Sequence, residues 1–295
     1  MVLEIAGLLV FGFVVGAYGT LVGIGGGPLI VPFLMIFYQY VPVDIIATSL
    51  MVILFNVAAG SYFYYRQGRI DLVNGTKMGL VAIPGALLGT FITHFFTIDF
   101  LRIIFGLLLL GLGVYVFATS IVGAMKAQAA TKRNRNEMDD DEDEIRLKKS
   151  EVSYNGQFEG LTKSVIRDST GTKYVFWFNQ KLALTISAII GFIGPLIGIG
   201  GGVFHVPALT EILKFPTHIA TATVHYVLLI CVFFALIPYI SMGAVHYGVA
   251  VPMGIGSIFG ARLGAQLSRK YSSQTLFKLL SVGLFLLSLR LLFFP

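Results

Sequence analysis

Charged residues are scarce in this chain of 295 residues: only 12% are Asp, Glu, Lys or Arg, whereas 56% are hydrophobic. Soluble domains carry about 25% charged residues, so the scarcity excludes an ordinary soluble protein and indicates that lipid surrounds most of the chain. The formal net charge of +6 does not indicate nucleic-acid binding, because the basic residues lie in loops between apolar stretches.

Other absences exclude further classes of protein. The single cysteine, Cys231, excludes an internal disulfide. The sequence has no Walker motif, no nucleophile elbow and no Cys/His metal spacing, so we expect no ATP-driven pump, no catalytic residues, no cofactor and no metal site. No Lys or Arg precedes the first apolar stretch, where only Glu4 is charged. We therefore expect that this stretch is retained and is not a cleaved signal peptide.

Apolar stretches long enough to cross a membrane occur in both halves of the chain. They are Leu3–Tyr40 with a break at Gly23–Pro28, Ile45–Tyr65, Met78–Phe96 and Leu101–Val122, then Leu182–Leu213 with a break at Gly198–Gly202, Ile219–Ile240, Tyr247–Leu267 and Leu276–Phe294. The organisation that we predict is a first membrane repeat at 1–123, a polar linker at 124–180 and a second membrane repeat at 181–295.

The linker differs in composition from both repeats. It holds the mixed-charge run Lys132–Lys149, which includes the acidic block Asp139–Glu144. Such runs are usually solvated and disordered, so we expect a partly disordered insert; a regulatory or partner-binding element is the alternative. Near its end, Lys163–Phe178 has β-favouring residues around an Asp-Ser-Thr-Gly turn signal, which predicts a small hairpin.

One motif occurs twice, 175 positions apart. Gly23–Leu34 reads GIGGGPLIVPFL and Gly198–Leu209 reads GIGGGVFHVPAL, with eight of twelve residues identical. At the same offset Ala47-Thr48 matches Ala222-Thr223, and Gly85/Gly89 matches Gly260/Gly264. A broken membrane helix in corresponding halves of a chain is the best sequence indication of a transporter's binding site.

The glycines of the motif favour anion binding. A run of glycines exposes backbone N–H groups, and the helix that restarts after it presents its positive end. We therefore assign substrate binding to two matched sets of glycines, which are Gly25, Gly26 and Gly27, and Gly200, Gly201 and Gly202. The alternative is that they only permit close helix packing.

Charge distribution bears on topology. If each glycine-broken segment is a re-entrant hairpin, each repeat crosses three times and the halves are inverted, which places 18 of the 21 Lys and Arg residues on one side. If all four segments cross, the repeats are parallel and five such residues lie on the minority side. The positive-inside rule favours inversion, with the linker cytoplasmic and both termini outside. The 19 residues of Leu3–Leu21, enough for a full crossing, favour the parallel alternative.

Polar residues inside the apolar stretches are further site candidates. The hydroxyls of Thr48, Ser49 and Thr223 and the amide of Asn56 have groups that contact anions, although hydroxyls in membrane helices also bond to their own backbone. His205 and His225 are candidate ligands or proton carriers; the alternative is a neutral, hydrogen-bonded core histidine.

The paired GxGGGxxxVPxL motifs, the Ala-Thr-Ser at Ala47–Ser49 and four apolar segments in each half resemble the sulfite exporter TauE/SafE family of membrane transporters. The resemblance covers nearly the whole chain except the linker. It implies transport of sulfur-containing anions such as sulfite, thiosulfate or sulfonates. The chain departs from internal symmetry at His205, which corresponds to Ile30, and at Val224, which corresponds to Ser49.

The overall prediction is an all-α polytopic protein of the cell membrane, built from two inverted repeats, each with a glycine-broken re-entrant hairpin and three transmembrane helices. The expected function is secondary transport of a small, sulfur-containing anion by alternating access. A passive anion channel is the alternative, followed by an intramembrane enzyme using His205 with Glu211 or His225 with Thr223. The expected partners are the anionic substrate and the lipid bilayer, not nucleic acid, with proton coupling and a homodimer left open.

Overall fold

The protein folds as a bundle of helices in a computed structural model, which describes residues 2–38, 40–111 and 161–268. In these ranges six helical segments are long and apolar enough to cross a membrane: Val2–Val22, Pro42–Arg66, Leu72–Phe95, Gln180–Ile197, Thr217–Ser241 and Tyr247–Leu267. The chain is therefore an all-α polytopic membrane protein, as the apolar stretches predict. The predicted disordered part of the linker and the predicted span Leu276–Phe294 lie outside the described residues.

The elements follow one another as two similar series. The first comprises α1 (Val2–Val22), α2 (Gly27–Phe37), α3 (Pro42–Arg66), α4 (Leu72–Ile92) with a 3₁₀ turn at Thr93–Phe95, and the helical residues 98–111, here α5. The second comprises α6 (Gln180–Ile197), α7 (Gly202–Pro207) continued by a π-helical turn at Ala208–Ile212, α8 (Thr217–Ser241) and α9 (Tyr247–Leu267).

A two-stranded antiparallel sheet precedes α6. Strand β1 (Thr162–Arg167) pairs with β2 (Lys173–Phe178), with Val165 opposite Val175. The predicted β-hairpin is thus confirmed. Phe176 and Phe178 pack against Phe215, with ring centroids 4.5 and 4.8 Å apart, so the sheet is docked on the helical bundle.

Helices α1 and α2 form a helical hairpin. Phe11 of α1 stacks on Phe33 of α2 with ring centroids 4.1 Å apart, and the hydroxyl of Tyr38 donates to the Glu4 carboxylate at 3.4 Å. The end of α2 therefore lies beside the beginning of α1. In the same way α7 returns along α6, since His205 lies beside Ser187 and Phe215 lies beside Phe178.

Small residues let the two series pack into each other. Gly12 and Gly16 of α1 lie against the backbone of Met253 and Ser257 in α9, so the two helices run in the same direction. Residues 85 and 89 of α4 lie against 188, 192 and 196 of α6 in the matching way. Glycine permits such close approach between membrane helices. Each hairpin consequently packs on the last long helix of the other series.

The two hairpins open at opposite ends of the bundle. The first opens where Glu4 lies, near the Asp44–His246 pair, whose side-chain atoms are 2.8 Å apart; we call this the far end. The second opens where Phe215 meets the β-hairpin and where Arg69 faces Asp168; we call this the linker end. Between them the tips of the hairpins meet inside the bundle.

Candidate functional site

The two glycine motifs adopt the same backbone conformation. Three glycines in each turn have positive φ: Gly23 (89°), Gly25 (79°) and Gly26 (90°) in the first, and Gly198 (82°), Gly200 (79°) and Gly201 (93°) in the second. Only glycine takes this left-handed region without strain. The repeated sequence therefore specifies a repeated turn between α1 and α2 and between α6 and α7.

Each turn uses some of its N–H groups and leaves others unused. The N–H groups of Gly23, Ile24 and Gly25 all donate to the carbonyl of Gly19, at 2.9–3.2 Å. Among the described residues no acceptor faces the N–H groups of Gly26 and Gly27, which begin α2. A helix start with unpaired N–H groups attracts anions.

The tips of the hairpins touch through reciprocal contacts. A Cβ at Gly27 would lie 2.6 Å from the backbone of Ile199, and one at Gly202 would lie 2.7 Å from the carbonyl oxygen of Gly23 and 2.8 Å from Ile24. Since Gly202 and Ile199 correspond to Gly27 and Ile24 at the offset of 175, the two contacts are reciprocal. The structure thus brings both predicted glycine sets together.

Two predicted polar residues contact the glycine turns directly. The Ser49 hydroxyl lies 2.8 Å from the carbonyl oxygens of both Ile46 and Gly198. The Asn56 side-chain amide donates to the carbonyl of Gly25 at 3.0 Å, and its oxygen accepts from the hydroxyl of Thr20 at 2.6 Å. Both residues are fully buried, so they position the turns from α3.

The predicted Thr48 and Thr223 hydroxyls contact the start of a helix in the opposite series. The Thr48 hydroxyl accepts from the N–H of His246 at 3.1 Å, and the Thr223 hydroxyl accepts from the N–H of Asp71 at 3.0 Å. These N–H groups immediately precede α9 and α4. Their positions also correspond at the offset of 175, so the pair forms a second reciprocal contact that links the two series.

The two predicted histidines occupy separate buried positions. Nε2 of His205 lies 3.2 Å from the Ser187 hydroxyl, whereas Nδ1 of His225 lies 3.3 Å from the carbonyl of Thr221. The other ring nitrogen of each has no hydrogen-bond partner in the described ranges. Within those ranges no group of three His, Cys, Asp or Glu residues is placed to hold a metal ion.

Sequence reasoning missed a set of polar residues between the first tip and the linker end. The hydroxyl of Tyr64 donates to the carbonyl of Thr20 at 2.7 Å, and the Tyr64 ring meets the His225 ring edge-on. Beyond Tyr64 lies the buried Arg69, whose Nε is 4.0 Å from Asp168. Arg69 lies with Arg66 and Lys77 between two apolar stretches of the sequence, and its partner Asp168 lies 99 residues away.

The chain is similar to known membrane transporter proteins. The chain is 26% identical over 293 residues to the probable membrane transporter protein YunE of Bacillus subtilis, covering 97% of this chain and 96% of that protein. It is 24% identical to the probable membrane transporter protein ORF9 of a Sinorhizobium species, covering 99% and 93%. No solved structure matches. The model of the family described as Sulfite exporter TauE/SafE matches residues 8–291. The chain is therefore a member of the TauE/SafE family of membrane transporter proteins.

Proposed function

We propose that the protein is a secondary transporter that moves a small, sulfur-containing anion across the cell membrane by alternating access. The observation that carries the proposal is the meeting of two glycine turns inside the bundle, with unpaired N–H groups at Gly26 and Gly27. Backbone N–H groups and helix starts stabilise an anion without a cationic side chain in the membrane. Sulfite, thiosulfate and organosulfonates are the substrates we propose; the family description names sulfite.

The reciprocal contacts support an inverted-repeat arrangement. Two inverted halves would give hairpins that open at opposite ends and that meet through reciprocal contacts at their tips. In this arrangement the linker lies on the cytoplasmic face and both termini lie outside, because the positive-inside rule assigns the Lys- and Arg-rich side to the cytoplasm. Rocking of one half against the other at the tips would expose the site to each face in turn.

Flux measurements in liposomes test the proposal. Purified protein is reconstituted, and uptake of ³⁵S-thiosulfate is followed against empty liposomes, with unlabelled sulfite and methanesulfonate as competitors. A transporter gives saturable uptake that is accelerated by unlabelled substrate on the opposite side. Uptake that neither saturates nor shows counter-transport would indicate an anion channel, and uptake at the level of empty liposomes for all three anions would refute the proposed function.

A further inference from the structure

We propose that Arg69 and His225 form a loading site for an oxyanion at the linker end of the bundle, and that the carboxylate of Asp168 occupies the anion's position at Arg69 while the site is empty. This inference rests on the proposed transport function and names the side from which the substrate enters. It assigns a role to the β-hairpin that is docked on the bundle.

Arg69 is a buried cation with incomplete pairing. Only 6% of the residue is exposed, its Nε lies 4.0 Å from Oδ2 of Asp168, and its Nη1 has no hydrogen-bond partner among the described residues. Buried charges are normally paired and hydrogen-bonded, because losing hydration is costly. A guanidinium offers a planar fork of donors that fits an oxyanion. Arg69 therefore has donors available to a second anion.

Asp168 does not depend on Arg69 for its hydrogen bonds. Its Oδ1 accepts from the backbone N–H and hydroxyl of Thr170, at 2.9 and 2.5 Å, and from the N–H of Thr172 at 3.0 Å. Burial raises the pKa of Asp168, but these hydrogen bonds and the charge of Arg69 outweigh burial, so the pKa lies below its ordinary value. The carboxylate is thus ionised at neutral pH, and its Oδ1 keeps all three hydrogen bonds when a substrate anion replaces Oδ2 at Arg69.

A chain of hydrogen bonds leads to the first tip from Tyr64, whose carbonyl accepts from the backbone N–H of Arg69 at 3.2 Å. It passes through the hydroxyl of Tyr64, then Thr20, then Asn56, which holds the carbonyl of Gly25. His225 flanks this set: its ring lies against Gly60, where a Cβ would be 2.6 Å from Cδ2, and its Nε2 is unpartnered in the described part of the chain. His225 therefore places a second unused nitrogen beside Tyr64 and Gly60, on the linker side of the first glycine turn.

The far end has no equivalent of this set. At the offset of 175, Arg69 corresponds to Ala244, His225 to Leu50 and Asn56 to Cys231, all buried. Only Tyr64 has a like counterpart, Tyr239. Among the described residues Arg69, Asn56 and His225 therefore have no counterpart at the far end, so the linker end is the loading side.

Binding of ³⁵S-thiosulfate to the full-length purified protein, at constant ionic strength, tests the site. Arg69→Gln is expected to weaken binding at least tenfold, and Arg69→Lys to weaken it less. The matched control is Arg167→Gln, because Arg167 is an exposed arginine of the same β-hairpin and bonds only weakly to the carbonyl of Gly171, at 3.4 Å. Asp168→Asn is expected to tighten binding several-fold, because a competing carboxylate is removed.

The double variant Arg69→Gln/Asp168→Asn separates ligand binding from a structural role. If Arg69 only neutralises Asp168, removing both charges restores wild-type binding, and this result would overturn the proposal. If Arg69 binds the anion, binding by the double variant remains weak. Size-exclusion profiles and melting temperatures confirm that each variant is folded.

Displacement of Asp168 has its own readout, since Trp177 is the only tryptophan of the chain and lies on β2 of the hairpin. Added thiosulfate is expected to change the fluorescence of Trp177, and the concentration at half-change should equal that at half-saturation of binding. Thiosulfate binding without any change in Trp177 fluorescence would overturn the displacement of Asp168. If Arg69→Gln binds and transports thiosulfate as well as the wild type does, the loading site is overturned but the proposed function is not. A wild-type protein that neither binds nor moves thiosulfate, sulfite or methanesulfonate would overturn the proposed function as well.

Discussion

The two ends of the bundle share a backbone plan but differ in chemistry. Both have a glycine turn, a hairpin that returns along its first helix, and a threonine that accepts from the start of a helix in the other half. Yet the linker end is polar from Arg69 to Asn56, whereas the corresponding positions at the far end are alanine and cysteine. The comparison indicates that one repeated backbone plan carries two different sets of buried side chains.

The largest effect is expected where the two ends are alike, at the tips. Gly27→Ala and Gly202→Ala each place a methyl group within 2.8 Å of opposing backbone atoms, which cannot yield as a side chain does. Overpacking of this kind costs about 1–3 kcal/mol, and the tips must separate. We expect thiosulfate uptake to fall to the level of empty liposomes in both variants.

The control for the tip variants is Gly248→Ala in α9, where nothing lies within 4 Å of the added methyl group. It should leave uptake and melting temperature unchanged. Full uptake by either tip variant, or loss of uptake in only one of them, would contradict the claim that transport requires both reciprocal contacts.

The second largest effect is expected when a polar residue on the linker side is replaced by the residue found at the matching far-end position. Asn56→Cys removes the partner of the Gly25 carbonyl and of the Thr20 hydroxyl. Leaving buried polar groups unpaired costs about 1–3 kcal/mol, so we expect thiosulfate affinity to fall about 5- to 150-fold. The reference is Cys231→Ala at the matching far-end position, where affinity should not change. Equal losses in the two variants would show that the ends are not specialised.

A smaller effect is expected at His225. His225→Leu introduces the residue found at the matching position, Leu50, and removes the unpartnered Nε2. One hydrogen bond contributes about 1 kcal/mol, so thiosulfate affinity should fall roughly fivefold. His94→Leu, at an exposed histidine of the far end, serves as the control. Unchanged affinity in His225→Leu would remove this histidine from the loading site.

The smallest effect is expected at the two threonines. Thr48→Val and Thr223→Val preserve the shape of the side chain but remove the acceptor for His246 N–H or Asp71 N–H. Each should lower the free energy of unfolding by about 1 kcal/mol, equally in the two halves, with thiosulfate affinity unchanged. A tenfold loss of affinity without a loss of stability would instead support the substrate contact that the sequence predicts for these hydroxyls.

The sequence predicted what depends on local composition. The apolar stretch Ile45–Tyr65 anticipated α3 within a few residues, and the turn signal around Asp168 anticipated the β-hairpin. It could not show that Thr48 and Thr223 accept from N–H groups in the opposite half, because those partners are 198 and 152 positions away. The pairing of Arg69 with Asp168 was hidden for the same reason: it joins the first repeat to the linker and follows no periodicity.

The packing of α1 on α9 has a consequence for biosynthesis. The face of α1 that carries Gly12 and Gly16 finds its partner only after residues 247–267 have entered the membrane, so α1 must wait until α9 has been made. Neither half of the gene should therefore yield a stable protein by itself. Two separately translated halves, cut within the linker and produced in the same cell, should assemble, because each supplies the helix that the other lacks.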